Sequence, residues 1–293
     1  MSNYRSLIIG HTTVDRNTDH LGNTVEIVGG AVVYSSASAY ALGHNVLALT
    51  KIAKKDLSRL EQFTLPKENV VCIDSEKSTD MVNIYFTADK ERRECSCTSR
   101  GDAFTKADIE PFEADIFHFA GLIYGDFDTE MIKYASTKGK VAVDVQGFLR
   151  HANDDGSMFF EDWKDKKEIL PYITYLKTDA AEAEILTGTD DRIEAAKILH
   201  SWGADEIMIT HNTEVLVYNG EELYTCPIKS RNLSGRTGRG DTTFAAYINE
   251  RQISSMKEAL LMATATVSLK METPGPFKGS KADIEKYISD FYN

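Results

Sequence analysis

Ser234-Gly235-Arg236-Thr237-Gly238-Arg239-Gly240-Asp241-Thr242-Thr243-Phe244-Ala245-Ala246-Tyr247 sets glycines just ahead of a carboxylate and of a run of small and apolar residues. Gly238 and Gly240 let the main chain turn sharply and aim its N–H groups at one point, and the residues after Asp241 read as a helix whose positive end faces that point. Such a turn holds an anion. A carboxylate beside an anion repels it, unless its task is to take a proton from an incoming nucleophile. Phosphoryl transfer to an alcohol needs that pairing of cradle and base. Asp241 as a plain helix cap accounts for the same residues equally well.

Upstream of this run, short apolar strand candidates (Leu7 to Ile9, Val46 to Leu49, Ile116 to Phe119, Val141 to Val145, Ile173 to Leu176, Ile207 to Ile209) alternate with helical patterns such as Ala31 to Leu42, Asp128 to Thr137, Ala180 to Leu186 and Arg192 to Trp202. The alternation predicts an α/β fold with a mainly parallel sheet covered by helices, and ligands at the carboxyl ends of its strands. Two stretches break the rhythm. Residues 11–28 are polar without a helical period, and residues 80–99 alternate Met81, Asn83, Tyr85 and Thr87 against Val82, Ile84 and Phe86, with a turn near Asp89-Lys90. Both read as strands of a small accessory sheet, either a lid over a site or edge hairpins that only pack. An uncovered strand edge there also suggests a homodimer through the lid. Residues 1–293 read as a single domain, since no linker rich in Pro, Gly or Ser divides them.

The chain has 293 residues, 42% of them hydrophobic, and a formal net charge of -12. That balance argues against nucleic acid or an anionic membrane as partner and leaves a small phosphate compound open. No charged-then-apolar leader and no long apolar run is present, so a cytoplasmic location is expected. The cysteines (Cys72, Cys95, Cys97, Cys226) have no paired zinc spacing and read as reduced thiols. No P-loop, Gly-x-Ser-x-Gly elbow or HExxH occurs, and the turn Gly10-His11-Thr12-Thr13-Val14-Asp15 lacks a dinucleotide fingerprint. His118, inside Phe117-His118-Phe119, reads as a core histidine.

Other stretches carry candidate chemistry. Asp15, just past the first strand, is placed to accept hydrogen bonds from vicinal hydroxyls, or is a solvated loop acid. Gly29-Gly30 opens a small-residue helix, which suits close helix packing or approach to a ligand. Lys177-Thr178-Asp179-Ala180-Ala181-Glu182 puts Asp179 and Glu182 on one face of a first helical turn, where they make a capping box, hold hydrated Mg2+ beside phosphates, or both. In Asp144-Val145-Gln146-Gly147-Phe148-Leu149-Arg150, Gln146 suits a substrate hydroxyl and Arg150 a phosphate, a surface salt bridge being the ordinary use of such an Arg.

In this order the motifs resemble the ribokinase-like (pfkB) family of carbohydrate kinases over nearly the whole chain. The early Asp15, the Gly29-Gly30 pair, the acidic helix start leading to Ala183-Glu184-Ile185-Leu186-Thr187-Gly188, and Thr237-Gly238-Arg239-Gly240-Asp241-Thr242 carry it. The resemblance implies a three-layer α/β/α sandwich with a β lid, binding ATP and Mg2+ and a small-molecule sugar or polyol. It implies Asp241 as catalytic base and Gly238, Arg239 and Gly240 as anion hole. Asp15, Gly29, Gly30, Tyr34, Gln146 and Arg150 would face the substrate, Lys177, Thr210 and Gly275 the ATP, and Asp179 and Glu182 the Mg2+, through water. Four positions depart from the pattern. Tyr34 stands where ribokinase and fructokinase have a substrate-binding Asn. Gly235 replaces the acid associated with monovalent-cation activation. Arg239 replaces the usual Ala of the hole, and Thr210-His211-Asn212-Thr213-Glu214 lacks the glycines of the nucleotide loop. Gly29-Gly30 followed by Tyr34, the Asp144-Val145-Gln146-Gly147-Phe148-Leu149-Arg150 run and Gly275-Pro276-Phe277 look like an inositol-kinase-like branch, which favours a cyclitol or unusual sugar over ribose. A nucleoside kinase, or a ligand sensor that keeps the fold with little turnover, are the alternatives.

Overall fold

The computed structural model describes residues 4–87 and 92–292. The expected turn at Asp89-Lys90 lies outside the described residues. In chain order the strands are β1 (Tyr4–Ile9), β2 (Thr13–Thr18), β3 (Thr24–Gly29), β4 (Val46–Ile52), β5 (Val70–Asp74), β6 (Thr79–Tyr85), β7 (Arg93–Ser99), β8 (Ala114–Phe119), β9 (Lys140–Asp144), β10 (Arg150–Ala152), β11 (Met158–Phe160), β12 (Tyr175–Asp179), β13 (Glu206–Thr210), β14 (Glu214–Tyr218) and β15 (Leu223–Pro227). The helices are α1 (Ala31–Ala41), α2 (Lys106–Ile109), α3 (Thr129–Ser136), α4 (Gln146–Leu149), α5 (Lys166–Ile169), α6 (Ala180–Thr187), α7 (Arg192–Ser201), α8 (Arg239–Glu250), α9 (Met256–Lys270) and α10 (Lys281–Phe291).

The main sheet runs β15-β14-β13-β12-β9-β8-β1-β4-β5, and its neighbours are parallel except at β13/β14 and β14/β15. Its central strands are buried on both faces, which is why they read as unbroken apolar runs. Leu7 and Ile9 of β1 pack with α3, α6 and α7, while the intervening Ile8 packs with α1. Ala142, Tyr175 and Met208 meet α8, α9 and α10 on that second face. This is the expected three-layer sandwich. β12 runs two residues later than the expected strand and carries Lys177 inside it. Burial of that amine is tolerated because Asp144 accepts from it at 2.9 Å.

The stretches that broke the helical rhythm form a second sheet in the order β3-β2-β6-β7, antiparallel within each pair and parallel between β2 and β6. Its alternation is inverted relative to an ordinary sheet: Thr79, Met81, Asn83 and Tyr85 are buried while Ile84 and Phe86 are exposed. A strand whose covered face lines a polar cleft keeps its polar residues inside. Among the described residues, no helix is long and apolar enough to cross a membrane, and the four cysteines are free.

Candidate active site

Two glycines bring the walls of the site together. Gly30, the N-cap of α1, has φ of 105°, and a Cβ there would lie 2.2 Å from the His11 carbonyl oxygen. Gly238, the N-cap of α8, has φ of 76°, and a Cβ would meet the Tyr34 ring at 2.2 Å. The Tyr34 ring is thus wedged between the glycine of the nest and Gly29, whose Cβ position lies 3.1 Å from it. The small residues of α1 serve the same approach: Ser35 Oγ donates to the Asp241 carbonyl at 3.3 Å and Ser38 Oγ to that of Thr242 at 3.0 Å.

Helix α8 starts earlier than its apolar pattern suggests, because left-handed Gly238 lets it begin at Arg239. Asp241 therefore sits in the first turn, and no side chain caps this helix. The simple capping role is set aside. The Arg239 N–H donates to the Arg236 carbonyl at 3.2 Å, and the helical ladder opens with Thr242 N–H to the Gly238 carbonyl at 2.9 Å. Gly240 and Asp241 contribute the N–H groups at the helix head, where the intrahelical ladder supplies no acceptor and the dipole favours an anion.

These groups face a cleft of about 390 Å³ between the carboxyl ends of the main sheet and the smaller sheet. Asp15, Asn83, Tyr85 and Arg93 line it from the small sheet, and Lys177, Asp179, Thr210, Arg236 and Arg239 from the main body. Asp241 lies between the two sets with Gly30, Tyr34, Asp144, Gln146 and Arg150. Asp15 Oδ1 and the Tyr34 hydroxyl are buried with no hydrogen-bond partner. Unpaired buried polar atoms of this kind cost about 1–3 kcal/mol each, so their persistence at a cleft points to a polar ligand that completes them.

Burial raises the Asp241 carboxyl to about 6, helped by the neighbouring Asp144 and opposed by Lys177, Lys270 and Arg150. Burial likewise raises Asp15, and it raises Tyr34 with the fields of Asp15 and Asp241 behind it. For Lys177, burial works downward, but Asp144, Glu182, Asp179 and Asp241 together hold the ammonium above its ordinary value. Its amine also lies against Gly240, 3.3 Å from the position a Cβ would take. A fixed positive charge therefore stands next to the helix head.

Most of the residues singled out by sequence converge here, and three do not line the cleft. Gly29 backs onto Tyr34. Glu182 is buried, with Oε2 accepting the Asp179 N–H at 2.8 Å and lying 3.8 Å from Lys177. Asp179 returns the bond to the Glu182 N–H at 2.8 Å, which completes the capping box. Gly275 has φ of 88° and no atoms near its Cβ position. Arg150 is buried rather than a surface pair, its Nε donating to the Leu122 carbonyl at 2.8 Å. Asn83, Tyr85, Arg93 and Arg236 were not singled out. Asn83 and Tyr85 lie on the row of β6 turned to the cleft and Arg93 opens β7, which is legible only once the strands' partners are known, while Arg236 lies in the turn ahead of α8. His118 is a core residue, edge-on to Phe244 at 5.0 Å, and burial lowers it to about 3. Among the described residues, no group of three His, Cys, Asp or Glu side chains could hold a metal unaided.

A model of the pfkB family carbohydrate kinases matches residues 5–282. A pyrophosphate-dependent kinase of the ribokinase family, solved with a pyrophosphate analogue and myo-inositol, superposes with a TM-score of 0.87 at 33% identity, over 96% of this chain and 99% of that one. A pyrophosphate-dependent myo-inositol-1 kinase converted into a myo-inositol-3 kinase superposes at 0.85 with 31% identity, over 98% of this chain and 100% of the other. A cytidine kinase of Thermococcus kodakarensis is 26% identical over 83% of this chain and 86% of its own length.

Proposed function

The chain belongs to the pfkB family of carbohydrate kinases, and from that premise we propose that it transfers a phosphoryl group from inorganic pyrophosphate to a hydroxyl of a cyclitol or related sugar. The observation that carries the donor is Arg239. Its guanidinium hydrogen-bonds the Asn212 amide, so the nest is bridged to the loop between β13 and β14 by a cation. With Arg236 and Lys177 alongside and Leu233 the sole aliphatic lining residue of the 230s stretch, the donor end offers charge and little flat apolar surface for a base. Resemblance alone predicts ATP; the cationic lining supports a donor that is all phosphate. The 33% identical pyrophosphate-dependent neighbour supports the same choice.

Asp15 and Tyr34 would take the acceptor's hydroxyls, filling their unmet hydrogen bonds, and would leave one hydroxyl facing Asp241. Asp241 would receive its proton as the phosphorus–oxygen bond forms. The Gly240 and Asp241 amides, Lys177 and the two arginines would stabilise charge on the transferred group. The residues present fit Mg2+ that arrives with phosphates and keeps waters: Asp179 opens to the cleft, and Glu182 stands behind it. When bound, such an ion would neutralise charge on the donor oxygens.

Steady-state rates with pyrophosphate and with ATP, each against inositols, hexoses, pentoses and nucleosides, test the proposal. Expected is a kcat/KM for pyrophosphate about tenfold or more above that for ATP, with an inositol or sugar preferred over nucleosides. Preference for ATP removes the donor assignment, and preference for a nucleoside removes the acceptor assignment.

A further inference from the structure

Lys270, the last residue of α9, is 1% exposed. Its ammonium donates to the Gly235 carbonyl at 2.6 Å and to the Thr237 carbonyl, and it sits 4.9 Å from the centre of the Tyr34 ring. All three contacts belong to the wall of the active site. Gly235 and Thr237 are the residues leading into Gly238, and Tyr34 is the ring against which Gly238 rests. The loop is closed from the other side as well: the Gly235 N–H donates to the Met271 carbonyl at 2.7 Å, and a Cβ on Gly235 would lie 1.9 Å from the Thr273 carbonyl oxygen. No side chain fits at 235, so the cation that gathers these carbonyls comes from α9.

A buried ammonium held by carbonyls and an aromatic face costs far more than a neutral donor in the same place. Fastening the loop does not need the charge. What the charge adds is a positive potential directly beneath the nest, and Asp241 feels it. Carbonyl oxygens converging on a compact cation are also the chemistry by which proteins hold potassium or ammonium ions. We propose that Lys270 is a built-in monovalent cation: a positioning residue whose ammonium fixes residues 235–238 so that the helix-head amides face the transferred phosphate, and which makes the enzyme indifferent to added potassium. The proposal rests on the phosphoryl-transfer reading given above. Burial lowers the Lys270 amine to about 8, with Asp241 opposing the shift. The titratable groups packed against it are Tyr34 of α1 and Asp241 of α8.

The test uses the full chain with whichever donor the native protein turns over. Lys270→Ala should lower kcat about 100-fold, as loss of preorganised charge at such a site does, while the acceptor KM changes little. Ammonium or potassium chloride should restore about tenfold of that loss, choline chloride should not, and the native protein should respond to none of the three. Lys270→Met, whose stem fills the cavity, should lose as much and recover nothing, and it serves if the Ala variant melts too low to assay. Native turnover in either variant overturns the proposal. So does a loss in Lys270→Ala that small cations leave unchanged or that choline restores equally, and so does activation of the native protein by potassium. A native chain that transfers phosphoryl from neither donor instead sinks the kinase reading, and this inference with it.

Discussion

Asp241 is held in an environment that opposes its ionisation, and this makes it both reactive and costly. Its carboxyl rises from 3.8 to about 6, so the native state binds a proton more tightly than the unfolded chain does. The resulting stability is complete below the ordinary value of 3.8 and is lost as pH rises through about 6. At neutral pH the ionised group therefore opposes folding by about 3 kcal/mol. Asp241→Asn should lower kcat about 100-fold or more while raising the melting temperature at neutral pH. Near-normal turnover removes the base, and a lower melting temperature contradicts the burial argument. The same neighbourhood sets the pH profile. Activity should rise through about 6 as Asp241 ionises and fall through about 8 as Lys270 loses its proton. Lys177 and Tyr34, both raised, keep their protons across that window. A kcat/KM profile lacking the alkaline limb excludes Lys270 from the rate, and one lacking the acid limb excludes Asp241.

Among the elements, the decisive contact is between the starts of α1 and α8. Each is opened by a left-handed glycine, and each glycine has another part of the site where a Cβ would go. Gly238→Ala should cost about 1–3 kcal/mol from backbone strain. It should also push Tyr34 aside, lowering kcat more than tenfold, on the order of what misplaced catalytic groups lose. Gly22, at φ of 86° with open space around its Cβ position, is the control. Gly22→Ala carries the strain and should leave turnover intact. Equal effects of the two substitutions on kcat mean that the Tyr34 wedge is irrelevant to the chemistry.

For the whole molecule, the cleft exists because the small sheet stands over the carboxyl ends of the parallel strands and turns its polar row inward. Its β7 edge is met by the β10–β11 hairpin through the Ser96–Ser157 bridge, whereas β3 ends the sheet, with Thr24, Val25 and Glu26 exposed. An open edge of that kind invites pairing with a second copy. Sedimentation velocity should give a dimer, and Glu26→Pro, which removes an N–H that faces away from β2, should give a monomer. A native monomer at micromolar concentration removes the homodimer. Much of this was legible in local spacing: the strand and helix alternation, the glycine turn before Asp241, and the Asp179 to Glu182 capping box each need only neighbours in sequence. The early start of α8 and the later frame of β12 escaped that reading. A left-handed glycine and a neutralised lysine overrode the apolar period in those places. The wedge of Tyr34 on Gly238, the ammonium of Lys270 beneath Gly235 and Thr237, and the charge of Arg93 acting on Asp15 join residues far apart along the chain. Such pairings leave no periodic trace, because burial and charge are properties of the neighbours that folding brings, and only the packed layers supply those neighbours.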